Sequence, residues 1–95
     1  MKIVVNRRYG GFSLSEEAYT FLGLEWDGFG YTSVERTDTK LVECVEALGD
    51  SASGYLSYLV VAEIPDDATD WWIDEYDGVE TPYYVKDGKR HKAIM

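Results

Sequence analysis

Apolar positions change their spacing along the chain, and each change marks the start of a new element. Lys2 to Asn6 is a short β-branched run, which predicts a strand at or near the centre of a sheet. It ends where Gly10-Gly11 releases the backbone. Ser13 then caps a first predicted helix, with Glu16 three positions on at capping-box spacing, so that each side chain satisfies an orphaned backbone donor. Leu14, Ala18, Phe21 and Leu22 form its apolar stripe, and Gly23 stops it. Residues 24–34 lose the period and read as a loop or a short irregular strand. A second helix, capped by Thr37 or Asp38, places Leu41, Cys44, Val45 and Leu48 on one face and ends at Gly49.

Asp50 to Gly54 is a polar turn. Tyr55 to Ile64 reads as a strand whose middle, Leu59 to Ala62, is apolar on both faces, as expected for a strand inside a sheet beneath helices. Pro65 ends it, and Trp71 to Tyr76 resumes extended structure. Asp77-Gly78 is a type I′ hairpin signal, with Val79-Glu80 starting the return arm. Pro82 marks that arm as an edge or as a break in its ladder, and Tyr83 to Val85 leads to a second turn at Asp87-Gly88. The expected architecture is α+β: a small mixed sheet of about four strands, two helices packed on one face in the order β-α-α-β-β-β, and a protruding Asp77-Gly78 hairpin. One compact domain is expected over residues 1–88, with residues 89–95 as a flexible basic tail.

Composition sharpens this reading. A chain of 95 residues with 45% hydrophobic and 15% aromatic content has enough core to fold despite a net charge of -9. The charge is uneven: between Leu41 and Val85 there are eleven acidic side chains and no basic one, whereas residues 86–95 carry four basic and one acidic. Such a segment favours a basic protein partner and disfavours direct nucleic-acid binding, or else it serves only as a solvated surface that keeps the protein soluble. Cys44 is the only cysteine, so an intrachain disulfide is excluded, and its place on a helical stripe reads as a buried small hydrophobe rather than a nucleophile. The opening apolar run is too short for a signal peptide or a membrane span, so the expected setting is cytoplasmic, with no membrane partner.

Several fragments occur together in one order: Lys2 to Asn6 followed by Gly10 to Ser15, then Arg36-Thr37-Asp38 with Leu41-Val42-Glu43, Leu48-Gly49, Glu63 to Asp66, and Tyr76 to Glu80. In this the chain resembles a family of small, mostly uncharacterised proteins encoded by bacteriophages and prophages. The resemblance implies phage origin and an accessory role in the cytoplasm of an infected host cell, and it brings no catalytic residues with it. The chain departs from the family at Thr81-Pro82-Tyr83-Tyr84, which is comparatively apolar.

Two places are candidate sites. The first is the acidic and aromatic stretch, where Trp71, Trp72, Asp74, Glu75, Tyr76, Asp77, Glu80 and Tyr83 combine rigid aromatic surface with carboxylates suited to a basic groove. The second is the turn at Arg7, Arg8, Gly10 and Gly11, where backbone donors ahead of a helix and two arginines offer an anion contact but match no nucleotide-binding fingerprint. Carboxylates in the hairpin also raise a hydrolase reading, for which only cross-hairpin neighbours such as Glu75 or Asp77 with Glu80 could converge, with nothing in the sequence to fix their separation. His91, the sole histidine, lies among basic residues with no partner for a metal, and no cofactor is implied. A non-enzymatic protein-binding module therefore ranks first, with an acidic face that mimics nucleic acid or inhibits its target as one form of it. A self-associating structural module and a small hydrolase rank behind.

Overall fold

Alternation along the first strand sends its side chains into two different cores. The computed structural model describes residues 1–95, and in it β1 (Lys2–Asn6) pairs antiparallel with β2 (Leu59–Glu63), Val4 opposite Val61. Val4 and Leu59 enter one cluster with Leu14, Ala18, Tyr19, Leu41, Val42, Cys44, Val45 and Ala52. Ile3, Val5 and Ala62 enter a second with Ile64 and Ala93, against which Ile73 and Tyr84 pack. The first core belongs to helices α1 (Glu16–Leu22) and α2 (Thr39–Leu48). The second belongs to another sheet, β3 (Asp70–Tyr76), β4 (Val79–Lys86) and β5 (Lys89–Lys92), all antiparallel in that order.

The molecule is thus α+β with two helices, as expected, but its five strands form two small sheets instead of one sheet of about four. The order is three-layered: helices, the two-stranded sheet, then the three-stranded sheet. The apolar run at Leu59 to Ala62 is covered on both faces, the second cover being a sheet. No helix is long and apolar enough to cross a membrane.

Local chemistry places the helices. Asp38 caps α2 by accepting from the Lys40 and Leu41 amides at 2.9 and 3.1 Å. At α1 the cap is Ser15, not Ser13, its hydroxyl accepting from Ala18 N–H at 3.1 Å. Ser13 and Leu14 are still extended, because their backbones bond elsewhere: Leu14 N–H to Gly30 O, and Gly54 N–H to Ser13 O. The register of α1 shifts accordingly, so Tyr19 is buried while Phe21 is 40% exposed. Gly30 has a positive φ of 84°, and a Cβ there would sit 2.1 Å from Leu14 O, so only glycine permits this close approach.

Three further corrections concern the second half of the chain. Tyr55 to Tyr58 is a loop and not the start of β2, since Leu56 is left-handed (φ 66°) and the Ser57 hydroxyl donates to Ser13 O. The Asp77-Gly78 turn has the positive φ angles expected of type I′ (50° and 88°), yet it does not protrude. Gly10 N–H donates to Asp77 O, and a Cβ on Gly78 would lie 2.3 Å from Gly11 N, so turn and loop are packed backbone to backbone. Residues 89–92, read as the start of a flexible tail, are β5; Ala93 is buried, and Ile94 O accepts from Glu63 N–H on the open edge of β2. Pro82 lies in the central strand β4, where the ladder to β5 stops at Tyr83 opposite Lys92.

The outer edge of β1 is closed by one backbone carbonyl and one side chain. Val4 N–H donates to Arg36 O, and Asn6 N–H donates to the Glu80 carboxylate at 2.7 Å. Glu80 is buried and ion-paired with Arg36, whose guanidinium lies 3.7 Å over the Phe12 ring. Asn6 is fully buried and satisfied: its amide donates to Arg8 O and Gly78 O, and its oxygen accepts from Tyr58 N–H.

Arg36→Met, which strands the more deeply buried partner, is expected to cost about 3–5 kcal/mol, and Glu80→Gln less, about 1–3 kcal/mol. Urea denaturation of both against Glu43→Gln, an exposed control, checks the order. Cys44 has no exposed surface, and burial pushes its thiol pKa up. A thiol reagent is therefore expected to label it only after denaturant is added, and labelling of the native chain at the rate of a free thiol would contradict this placement.

Candidate functional site

Of the eleven carboxylates between Leu41 and Val85, four are neutralised by cations from outside that stretch. Glu46 pairs with Lys2, Asp66 with the Met1 amino group, Asp67 with Lys86 and Glu80 with Arg36. The acidic segment thus receives counter-ions through the fold that its own sequence lacks. Of the seven carboxylates in this stretch without an ion pair, Asp70, Asp74, Glu75 and Asp77 lie on β3 or the hairpin turn, while Glu43, Asp50 and Glu63 lie elsewhere.

Strand alternation sorts the predicted binding residues onto opposite faces of the outer sheet. Trp71, Ile73, Pro82 and Tyr84 share the inner face, with Trp71 opposite Tyr84 at its rim and 36% exposed. Trp72, Asp74 and Tyr76 share the outer face with Thr81 and Tyr83. Trp72 stacks on Tyr83 at 5.9 Å between ring centroids, and Arg90 lies 5.0 Å over the same tyrosine from the other side. The two adjacent tryptophans therefore do face opposite ways. Glu80 leaves the set altogether, because it is buried against Arg36.

At the hairpin end of this outer face is an open cleft of about 290 Å³ lined by Tyr9, Asp74, Glu75, Tyr76, Val79, Thr81 and Tyr83. Three tyrosines supply π-faces and two carboxylates supply charge, the chemistry that takes up a cationic side chain. Tyr9 is 65% and Tyr76 74% exposed, so both rings have surface to give. Glu75 is partly committed, since it accepts from Gly78 N–H at 2.6 Å and stiffens the turn. Asp74 has no partner inside the chain, neither a hydrogen bond nor an ion pair. Cross-strand Glu75 and Glu80 oppose one another as the hydrolase reading requires, but Glu80 is held by Asn6 N–H and Arg36 and Glu75 by the turn. No three His, Cys, Asp or Glu side chains are grouped to hold a metal ion.

The arginine turn is used mainly for structure. Arg7 donates to Glu80 O and Thr81 Oγ1 at 2.9 and 2.8 Å, fixing β1 to β4 beyond the end of β5. Gly10 N–H is spent on Asp77 O, and α1 begins only at Glu16, so Gly10 and Gly11 do not stand at a helix N-terminus. Arg8 is exposed and shares with Arg7 a cleft of about 360 Å³ walled by Ser53, Ser57 and Tyr58, into which Asp50 also projects negative charge. His91, on β5, stacks on Tyr84 of β4 at 5.1 Å between ring centroids.

Sequence reasoning missed Tyr55, Leu56 and Tyr58 as loop residues. Tyr55 is 91% exposed and Leu56 45%, and Leu56 packs its backbone against Gly10. The signal was masked because these residues continue the apolar pattern of β2, and only the left-handed Leu56 shows that the strand has not yet begun. A second exposed group, Phe29 and Tyr31 with Phe21 and Leu24, surrounds the turn after α1. There Asp27 accepts from the Gly30 and Phe29 amides and, more weakly, from the Tyr19 hydroxyl, and these bonds hold its carboxyl below the usual range.

An exposed leucine with positive φ stores strain that nothing in the core repays. Leu56→Gly is expected to leave the chain equally stable or to raise stability by up to about 1 kcal/mol, measured by thermal or urea denaturation. A loss of more than about 1 kcal/mol would show that its side chain is a packing residue. No family model, curated protein or solved structure matches the chain.

Proposed function

We propose that this chain is a non-enzymatic binding module, a phage accessory protein acting in the host-cell cytoplasm, that takes up a basic segment of a host or viral protein. The observation that carries the reading is the cleft of Tyr9, Tyr76 and Tyr83 with Asp74 and Glu75, which joins aromatic walls to carboxylates at one end of an uncovered sheet face. A lysine or arginine side chain laid between the tyrosines gains cation–π contact, and Asp74 supplies a counter-charge with no competing partner. The net charge of -9 adds long-range attraction for a basic partner and makes capture salt-sensitive.

The narrower form, in which carboxylates imitate a phosphate backbone, has less support. Asp70 and Asp74 are four residues apart on one strand, about 13 Å, with Trp72 between them. A nucleic-acid strand carries a charge about every 3.4 Å along its axis, so this lane is sparse by comparison.

Pulldown from bacterial lysate at low and high salt tests the reading. Capture of a basic protein is expected to be lost in high salt and in Tyr76→Ala and Asp74→Asn, while Glu43→Gln retains it. Tyr76→Ala is expected to weaken a purified lysine- and arginine-containing target peptide by about 1–2 kcal/mol in calorimetry. Equal capture by wild type and both cleft variants, or partners that are not basic, would remove the proposal.

A further inference from the structure

The outer face of the β3–β4–β5 sheet is divided by charge in a way that the strand registers make explicit. Asp70 is opposite Val85, which is opposite Arg90; Trp72 is opposite Tyr83, which is opposite Lys92. Reading across the sheet at two successive levels, an acidic and aromatic lane on β3 is followed by an apolar and aromatic lane on β4 and a basic lane on β5. Adjacent strands are about 4.8 Å apart, so the outer lanes are roughly 10 Å from each other, with Val85 and Tyr83 standing between them. Asp70, Arg90 and Lys92 accordingly make no ion pair within the chain, although four other carboxylates do find cations.

We infer that this face packs on the same face of a second copy of the chain, about a two-fold axis running along β4. Rotation about an axis parallel to the central strand exchanges the two sides of a sheet and preserves position along it. Each β3 then lies over the β5 of the other copy at the same level. Asp70 meets Arg90 of the second copy, Trp72 meets its Lys92, and Tyr83 and Val85 meet their own symmetry mates at the axis. Every contact occurs twice. The face that is frustrated within one chain, with its charges separated, is satisfied by its own copy. The centre is apolar and the rim charged, as in protein interfaces generally. Three short strands make a small patch, which fits a dimer of micromolar strength. A second copy is favoured over a purely basic partner here because the face presents both signs of charge in mirror lanes.

Sedimentation over a concentration series is the test, with Asp70→Arg and Arg90→Asp as reporters. Both positions are exposed and neither lines the cleft assigned above to the basic partner; Tyr83 belongs to both surfaces, so the two occupants compete, but these variants weaken the dimer while leaving the cleft's own residues in place, and the two readings fail separately. Wild type is expected to shift from 10.8 kDa to twice that mass as concentration rises to roughly several hundred micromolar. Each single variant sets like charges together twice and is expected to dimerise at least about tenfold more weakly, with an unchanged far-ultraviolet dichroism spectrum. An equimolar mixture of the two variants restores opposite charges at both contacts and is expected to recover the dimer. A wild type that stays monomeric, single variants that dimerise as wild type does, or a mixture no stronger than either variant alone would each overturn the inference.

Discussion

One buried carboxylate holds the layers in register. Glu80 lies on the sheet-side layer, accepts from the backbone of β1 in the middle layer, and pairs with Arg36, whose carbonyl also serves β1. A two-stranded sheet has two open edges, and each open edge is a template for unwanted pairing. The fold closes one with Glu80 and Arg36 and the other with Ser53 and Ile94. A charge in this position is costly to bury, and it is tolerated because Asn6 N–H and the Arg36 guanidinium both donate to it.

That arrangement explains what the amino-acid pattern could and could not show. Both helices, the β-branched first strand and the Asp77-Gly78 and Asp87-Gly88 turns were legible because their signals are local: a side-chain cap, a stripe, a pair of residues that accept positive φ. The division into two sheets was not. Period-two alternation says which residues share a face but not which strands share a ladder, and the apolar run from Leu59 to Ala62 reads the same under a helix or a second sheet. Lys89 to Met95 read as a tail because its basic residues show no apolar period. Its order comes from pairing with Val85 and Tyr84, partners that composition alone does not reveal.

The candidate site was legible to a similar extent. Residues 71–83 supply most of the lining of the cleft, and the opposite facing of Trp71 and Trp72 followed from alternation. Glu80 looked like one carboxylate among many, since nothing near it in sequence announces that Arg36 and Asn6 will enclose it. Tyr9 joins the cleft only because the hairpin folds back onto Gly10 and Gly11, a contact between segments nearly seventy residues apart. Such long-range convergence is set by tertiary packing and leaves little trace in the spacing of residues.

The closing of β1 has a consequence for the time course of synthesis. Asn6 waits for a partner 74 positions further along, and the edge of β2 waits for Ile94. Long sequence separation slows the search for native pairing. At about 5–20 residues per second, the apolar Ile3-Val4-Val5 strand is on the growing chain for several seconds before Glu80 is made. The strand that anchors both cores is therefore made well before the residue that closes its edge, so the nascent chain passes through an interval in which an apolar strand has an open ladder.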